Sequence, residues 1–212
     1  MKTITFFILC MVLFASTALR AQLSYGISAG VSFANEKIKT HDVHASLETK
    51  TGFTAGAVLD VPLSKHFSFQ PQLNFVQKGC KLENADVQES RTINYLELPA
   101  NFLFKTGGFF MGTGLSFAWG LSGSDNIQFE GGSFQDAKHP IHFGDGEYDI
   151  NKFDFGINFI TGYIIKTHFL ITANFTAGLT KVNNTNSGDK ITNDYFAIKV
   201  GYLFSTHKKH SQ

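Results

Sequence analysis

Cysteine is scarce: two residues in 212, Cys10 and Cys80. Cys10 falls in a segment that reads as removable, so the mature chain holds one thiol and no intrachain disulfide framework. An excess of one charge sign is missing too, with 18 Lys and Arg against 17 Asp and Glu. The single basic cluster, Lys208 with Lys209, lies in a polar tail. Neutralising a phosphate backbone needs a concentrated basic surface, so nucleic acid is excluded as a partner. Long apolar runs are also lacking. The run 4–14 is shorter than the ~20 residues of a membrane-spanning helix. With Lys2 before it and small residues up to Ala21 and Gln22 after it, residues 1–21 read as a secretory signal peptide, and cleavage after Ala18 fits the same rule. Cys10 follows Leu9, where a lipid-attachment cysteine needs a small neighbour, so no lipoprotein is expected.

Phenylalanine and glycine are plentiful, at 23 and 20 residues. Their placement follows a period of two, the signature of strands, in eight segments: 24–34, 51–61, 66–77, 92–104, 109–120, 152–165, 168–179 and 194–204. The first sets Tyr25, Ile27, Ala29, Val31 and Phe33 against Ser24, Gly26, Ser28, Gly30 and Ser32. The last sets Phe196, Ile198, Val200, Tyr202 and Phe204 against Tyr195, Ala197, Lys199 and Gly201. Connections alternate between short (62–65, 105–108, 166–167) and long and polar (35–50, 79–91, 121–151, 180–193). Short periplasmic turns and long outward loops in this rhythm predict an all-β fold, an eight-stranded antiparallel up-and-down transmembrane β-barrel over residues 22–204, followed by a polar tail, 205–212.

The apolar faces are graded. Tyr25, Phe67, Phe69, Phe104, Phe109, Phe169 and Tyr202 gather toward the short turns, and Phe33, Phe53, Phe75, Trp119, Phe153 and Phe196 toward the long loops, with aliphatic residues mostly between. Two aromatic belts around an aliphatic band describe a surface that meets lipid. The other reading is a secreted soluble ligand-binding β-barrel with its rings turned inward. Its polar faces would then meet water and carry Lys and Glu, whereas these carry Gly, Ser, Thr, Asn and Gln.

Eight strands enclose a lumen filled by side chains, without an open pore. The charged residues expected inside are Asp60 near the turn end, Asp154 near the loop end, and Glu97 and Lys199 at mid-height on opposite strands. Glu97 and Lys199 are expected to meet across the lumen as a structural polar pair, because a buried lysine without a partner costs several kcal/mol. Stagger between strands would instead leave each to be satisfied by amides such as Gln72, Asn101 and Asn158. Pro71 and Pro99 fall inside strands three and four and predict a local interruption of pairing there.

The segment FQPQLNFVQKG (69–79) followed by NYLELPANFLF (94–104) resembles the paired third and fourth strands of the PorT-like outer-membrane β-barrel family of Gram-negative bacteria. The likeness extends through YGISAGVSF, FFMGTGLSFAWG and FAIKVGYLF over nearly all of the mature chain. It departs at Gln72, where that family often has a carboxylate, and in the tail after Phe204. The resemblance implies the cell outer membrane as location and a barrel as architecture. It extends to members that serve a protein-secretion apparatus, but implies no mechanism.

Motifs for chemistry are weak. Gly26-Ile-Ser28-Ala-Gly30 matches a nucleophile elbow, but it lies within an alternating strand with no helix behind it. His41 with His44, and His139 with His142, sit in polar loops and read as solvated. Asp145, Glu147 and Asp149 lack the distal glutamate of a calcium loop. Gly112-Thr-Gly114 has no phosphate-loop lysine. No catalytic, cofactor-binding or metal residue is therefore assigned, and no enzyme activity is expected. The partners expected are the lipid bilayer and, through the long loops, envelope or secretion proteins.

Overall fold

The computed structural model describes residues 23–39, 44–83, 87–129, 137–144, 146, 149–184 and 190–205. The expected signal peptide and nearly all of the expected tail lie outside them. Among the described residues there are ten strands: β1 (Ser24–Lys39), β2 (His44–Ser46), β3 (Glu48–Pro62), β4 (Phe67–Glu83), β5 (Val87–Thr106), β6 (Phe109–Phe129), β7 (Ala137–Pro140), β8 (Phe153–Ile165), β9 (Phe169–Gly178) and β10 (Lys190–Ser205). Eight of them form a closed antiparallel ring in the order β1-β3-β4-β5-β6-β8-β9-β10, sealed by β10 against β1 from Ser24↔Ser205 to Lys39↔Lys190. The short strands β2 and β7 pair with the loop-side ends of β1 and β6.

At the other end the turns are tight. Lys166 and Thr167 both take positive φ, 49° and 63°, as do Gly107 and Gly108 at 56° and 90°. Two consecutive left-handed residues match the twist of the strands they join. Closure leaves every membrane-crossing strand paired on both sides, which hydrocarbon demands.

The rings face outward. Ile27 is 62% exposed and Phe102 61%, while Glu97 on the opposite face of the same wall is 0%. The soluble reading, with aromatics converging on a core, is therefore set aside. Outer rings pair across strands in two tiers: Tyr25 with Phe204, Phe67 with Phe104 and Phe169 with Tyr202 near the turns, and Phe53 with Phe75 and Trp119 with Phe153 near the loops.

Two features depart from simple alternation. The β4–β5 ladder skips from Pro71↔Ala100 to Asn74↔Glu97 without a change of register, so pairing lapses at Gln72, Leu73, Leu98 and Pro99. Proline has no N–H to give to a ladder. Moreover, β4, β5 and β6 run far past the loop-side aromatics. The stretch read from sequence as a loop at 79–91 is mostly ladder, paired as far as Glu83↔Gln88, and β6 continues to Phe129 with β7 along its side. Beyond the bilayer both faces of a strand meet polar surroundings, so the alternation that marks a strand fades while its hydrogen bonds continue.

Candidate functional site

Inside the ring, side chains are layered. A turn-side apolar layer of Val58, Leu103, Phe110, Ile160, Leu170 and Leu203 closes one end. A loop-side layer including Val76, Ile93, Tyr95, Ile150, Val182 and Tyr195, with Ile141 and Phe143 packed on it, closes the other. Between them lie amides and charges. Lys199 donates to Gln72 Oε1 at 2.8 Å, and Gln72 donates on to Gln70 at 3.0 Å. Asn158 donates to Asn101 at 2.8 Å and accepts from Thr176 at 2.9 Å.

Glu97 and Lys199 are both buried in this lumen, but their nearest partners are others. Glu97 is paired by Lys78 at 2.8 Å and accepts a hydrogen bond from the Tyr195 hydroxyl. Lys78 also reaches Asp154 at 3.1 Å and sits 5.0 Å and 4.9 Å from the ring centres of Tyr95 and Tyr195. Among the described residues, the ion pair expected between Glu97 and Lys199 is thus replaced by Glu97 with Lys78 and Lys199 with Gln72. Strand stagger is the reason: the β10 residue that meets Glu97 is Tyr195, two inward-facing steps nearer the loops than Lys199. Within this set Lys78 and Lys199 stand against Glu97 and Asp154, two ammonium groups against two carboxylates. Lys78 went unrecognised because its strand was ended at Gln77; continuing the inward series Gln72, Asn74, Val76 by one more step reaches it.

Asp60 lies at the turn end, as expected, and is ion-paired with Lys105. Ser28 is buried mid-strand on an unbroken ladder, opposite Gly201 and Gly56, rather than on a turn.

Above the loop-side belt a second polar set joins three strands. Arg91 grips Asp125 with two nitrogens, at 2.9 Å and 3.2 Å, and reaches Glu36 at 3.3 Å. Burial pushes the Glu36 carboxyl up from its ordinary value, against the lowering pull of Arg91. Burial, with the Glu36 charge beside it, pushes the Cys80 thiol up as well, which makes it a poor nucleophile. Lys37 pairs with Asp194. Of the loop groups weighed from sequence, His41, Asp145 and Glu147 and the His44 side chain lie outside the described residues. His139 and His142 are exposed, and Asp149 accepts from the Gly146 amide at 3.1 Å. Among the described residues no three His, Cys, Asp or Glu side chains come together as a metal site.

Two surface cavities lie toward opposite ends of the barrel. One, about 570 Å³, opens at the turn end around Asp60, Lys105, His66 and His168. The other, about 340 Å³, lies on the loop-side wall between β4, β5, β6 and β7.

Comparison with known proteins agrees with this architecture. The family model described as outer membrane protein beta-barrel domain matches residues 14–184; β10, which closes the ring, lies beyond the match. A search of curated proteins finds none that matches the chain. Similar solved structures include Ail, the attachment invasion locus protein of Yersinia pestis, 13% identical over 86% of this chain and 99% of that one, with a TM-score of 0.46. Neisserial surface protein A is 12% identical over 84% and 95%, with a TM-score of 0.46. The outer membrane protease OmpT of Escherichia coli is 10% identical over 87% and 96%, with a TM-score of 0.36. A closed ring of eight strands with lipid-facing aromatics, and a family match over most of its length, place this chain in the outer membrane protein β-barrel domain family and in the outer membrane.

Proposed function

We propose that this protein acts as a non-conducting, non-enzymatic outer-membrane barrel whose role is interaction, carried by its loop-side wall and outward loops. The observation that carries the reading is the pair of apolar layers that cap the lumen at both ends, with Lys78, Lys199, Glu97 and Asp154 filling the space between as a neutral structural set. A path for solute would need those layers parted. The molecule instead invests its extra strand length outside the bilayer, in β4, β5 and β6, where binding elements belong. Protein reconstituted in planar bilayers is expected to give no unitary ion currents. Cross-linking on intact envelopes should capture a partner that is lost when the residues between Phe129 and Ala137 are shortened. Steady single-channel conductance would overturn the proposal.

A second reading, a subunit of a protein-secretion or envelope assembly, is favoured by the resemblance of segments 69–79 and 94–104 to PorT-like proteins. Stoichiometric co-purification with other envelope proteins from gently solubilised membranes supports it, and recovery of the barrel alone counts against it.

A further inference from the structure

The turn-side mouth of the barrel carries positive charge that its own carboxylates leave unbalanced. Among the described residues at that end, Lys65, Lys105 and Lys166 stand against one acid, Asp60, and Asp60 is taken by Lys105. The sequence after β10 holds Lys208 and Lys209 and no Asp or Glu, so no side chain there offsets the lysines. The cavity of about 570 Å³ opens at this mouth and is lined from all four corners of the ring: the β3–β4, β5–β6 and β8–β9 turns and the meeting of β1 with β10. A space that all four corners share lies on the barrel axis. Its lining includes the buried, inward-facing Asp60 and Leu203, and Ile164, which packs on the turn-side apolar layer. That layer is therefore its floor. Bilayer lipids surround the outside of the ring, whereas this cavity opens end-on, toward the periplasm that short turns face.

The side chains around this space are set to meet a ligand with both signs of charge. His66 Nδ1 lies 3.2 Å from the Lys105 carbonyl oxygen, and His168 Nδ1 lies 2.8 Å from the Lys166 carbonyl oxygen. A carbonyl only accepts, so each Nδ1 carries the proton. Each Nε2 is left for an occupant, accepting when the ring is neutral and donating when it is charged. Lys65 joins His66 on the β3–β4 corner and His168 stands on the β8–β9 corner, so groups that can hold carboxylates sit on separate corners of the mouth. Among the described residues Lys65 has no carboxylate partner. Asp60 is opposite in character: 5% exposed, it gives one oxygen to Lys105, and its Oδ1 accepts no hydrogen bond. A buried carboxylate oxygen without a donor is costly to leave, and it calls for one from outside the chain. Pro62, Phe109, Ile164 and Leu203 add apolar surface between these groups.

Separate carboxylate-holding corners, an unmet acceptor and an apolar floor within one small space specify the occupant. The cavity is of small-ligand size, within about 300–1,000 Å³, and admits no folded domain. The occupant must therefore bring several carboxylates, an amine and small apolar side chains within a few residues. A protein chain end brings one terminal carboxylate and no obligatory amine beside it. The peptide stems of the cell wall, a periplasmic polymer, are short chains of alanine, a γ-linked glutamate and a diamino acid, with free carboxylates and a free amine. We propose that the turn-side mouth binds the free end of a cell-wall stem peptide, with its carboxylates at Lys65, His66 and His168 and its amine at Asp60. The site lies at the opposite end of the barrel from the loop-side surface proposed above for interaction, so each stands or falls alone.

The test uses the full barrel refolded in a zwitterionic detergent, with affinity read by titration calorimetry. The probes are the stem tetrapeptide N-acetyl-L-Ala-γ-D-Glu-meso-diaminopimelate-D-Ala, the same peptide with its carboxylates amidated, the same peptide acetylated at the diaminopimelate amine, and the protein-type peptide N-acetyl-Ala-Glu-Glu-Ala. The stem peptide is expected to bind at least about tenfold more tightly than the amidated form and the protein-type peptide. The triple variant Lys65→Gln, His66→Gln, His168→Gln should lose at least about tenfold in affinity, the equivalent of ~1.4 kcal/mol. Lys65→Arg keeps the charge and should stay within about twofold. Asp60→Asn should erase the preference for the free over the acetylated amine. The loop-side pair Lys81→Gln, Lys138→Gln should change nothing, and heat-modifiable migration checks that each variant is folded. No binding of the stem peptide, equal binding by the triple variant or equal binding of the amidated form overturns the proposal. Equal binding of the protein-type peptide assigns the mouth to acidic protein segments, and overturns it too.

Discussion

Below the loop-side aromatics and above them, the same strands solve opposite problems. Below, hydrocarbon lies outside, so rings and aliphatic chains turn outward and the charges are enclosed, Lys78 paired by Glu97 and Asp154 and Lys199 held by Gln72. Above, polar surroundings bathe both faces. There the inner face carries a cluster of half-buried Arg91 and Asp125 with buried Glu36, and the outer face exchanges phenylalanine for lysine, serine and amides. The strands run through both zones, with register shifts at the boundary between Thr49 and Thr54 on β3 and between Asn94 and Tyr95 on β5. The medium, rather than the backbone, decides what a given parity means.

The largest effect is expected where charge is most enclosed. Lys78→Met strands two carboxylates in the lumen and should cost about 3–5 kcal/mol, read as a shift in urea unfolding of the barrel in vesicles. Combining it with Glu97→Gln should recover part of the loss, a coupling that marks a direct pair. Lys199→Met with Glu97→Gln should instead give nearly additive losses, because Lys199 answers to Gln72. Strong coupling between Glu97 and Lys199 would show that the partners assigned here are wrong.

A pair on the same face of β6, brought there by the register shift between Asn94 and Tyr95, sharpens the boundary next. Leu115 points to lipid near mid-height, 48% exposed. Leu115→Arg should cost about 2–4 kcal/mol, as a cation at the bilayer midplane does. Ser124→Arg, on the same outer side but above the belt, should stay within about 0.5 kcal/mol. Equal costs would mean that the hydrocarbon boundary is misplaced.

That boundary also explains what the sequence could and could not tell. Ring closure, eight crossing strands and outward phenylalanines were legible because alternation is loudest where one face meets lipid and the other a packed lumen. The ladders from Cys80 to Glu83 and from Val87 to Arg91 were not, since neither face there needs to be apolar. The lumen contacts were legible as an inventory only. Composition and parity placed Glu97, Lys199, Asp60 and Asp154 inside, but partner choice depends on the stagger of the closed ring, which a single sequence does not state. Glu36, Arg91 and Asp125 come from three segments that read as loops, and no local pattern joins them.

Smaller effects follow above the belt. Because burial raises the Glu36 carboxyl above its ordinary value of 4.5, the folded barrel holds that proton more tightly than the unfolded chain. Its contribution to stability is therefore greatest below about pH 4.5 and is lost as pH rises through the raised value. Glu36→Gln should remove that slope, so the stability difference between variant and parent should grow in the variant's favour across the mildly acidic range. A difference independent of pH would show that Glu36 titrates normally.

The smallest effect tests the lapse in the β4–β5 ladder. Gln72, Leu73 and Leu98 fall where cross-strand pairing between β4 and β5 is skipped, whereas Phe75 and Leu96, just toward the loops, are paired. Amide exchange in detergent is expected to be faster by about tenfold at Leu73 and Leu98 than at Phe75 and Leu96, with the barrel otherwise intact. Pro99→Val restores an N–H to β5 and should slow exchange at its neighbours while changing global stability by less than about 1 kcal/mol. The proline would then be a local device that thins one seam of the wall without weakening the ring. Uniform protection across the seam in the parent protein would deny that the ladder lapses there, and would leave both prolines accommodated by regular pairing.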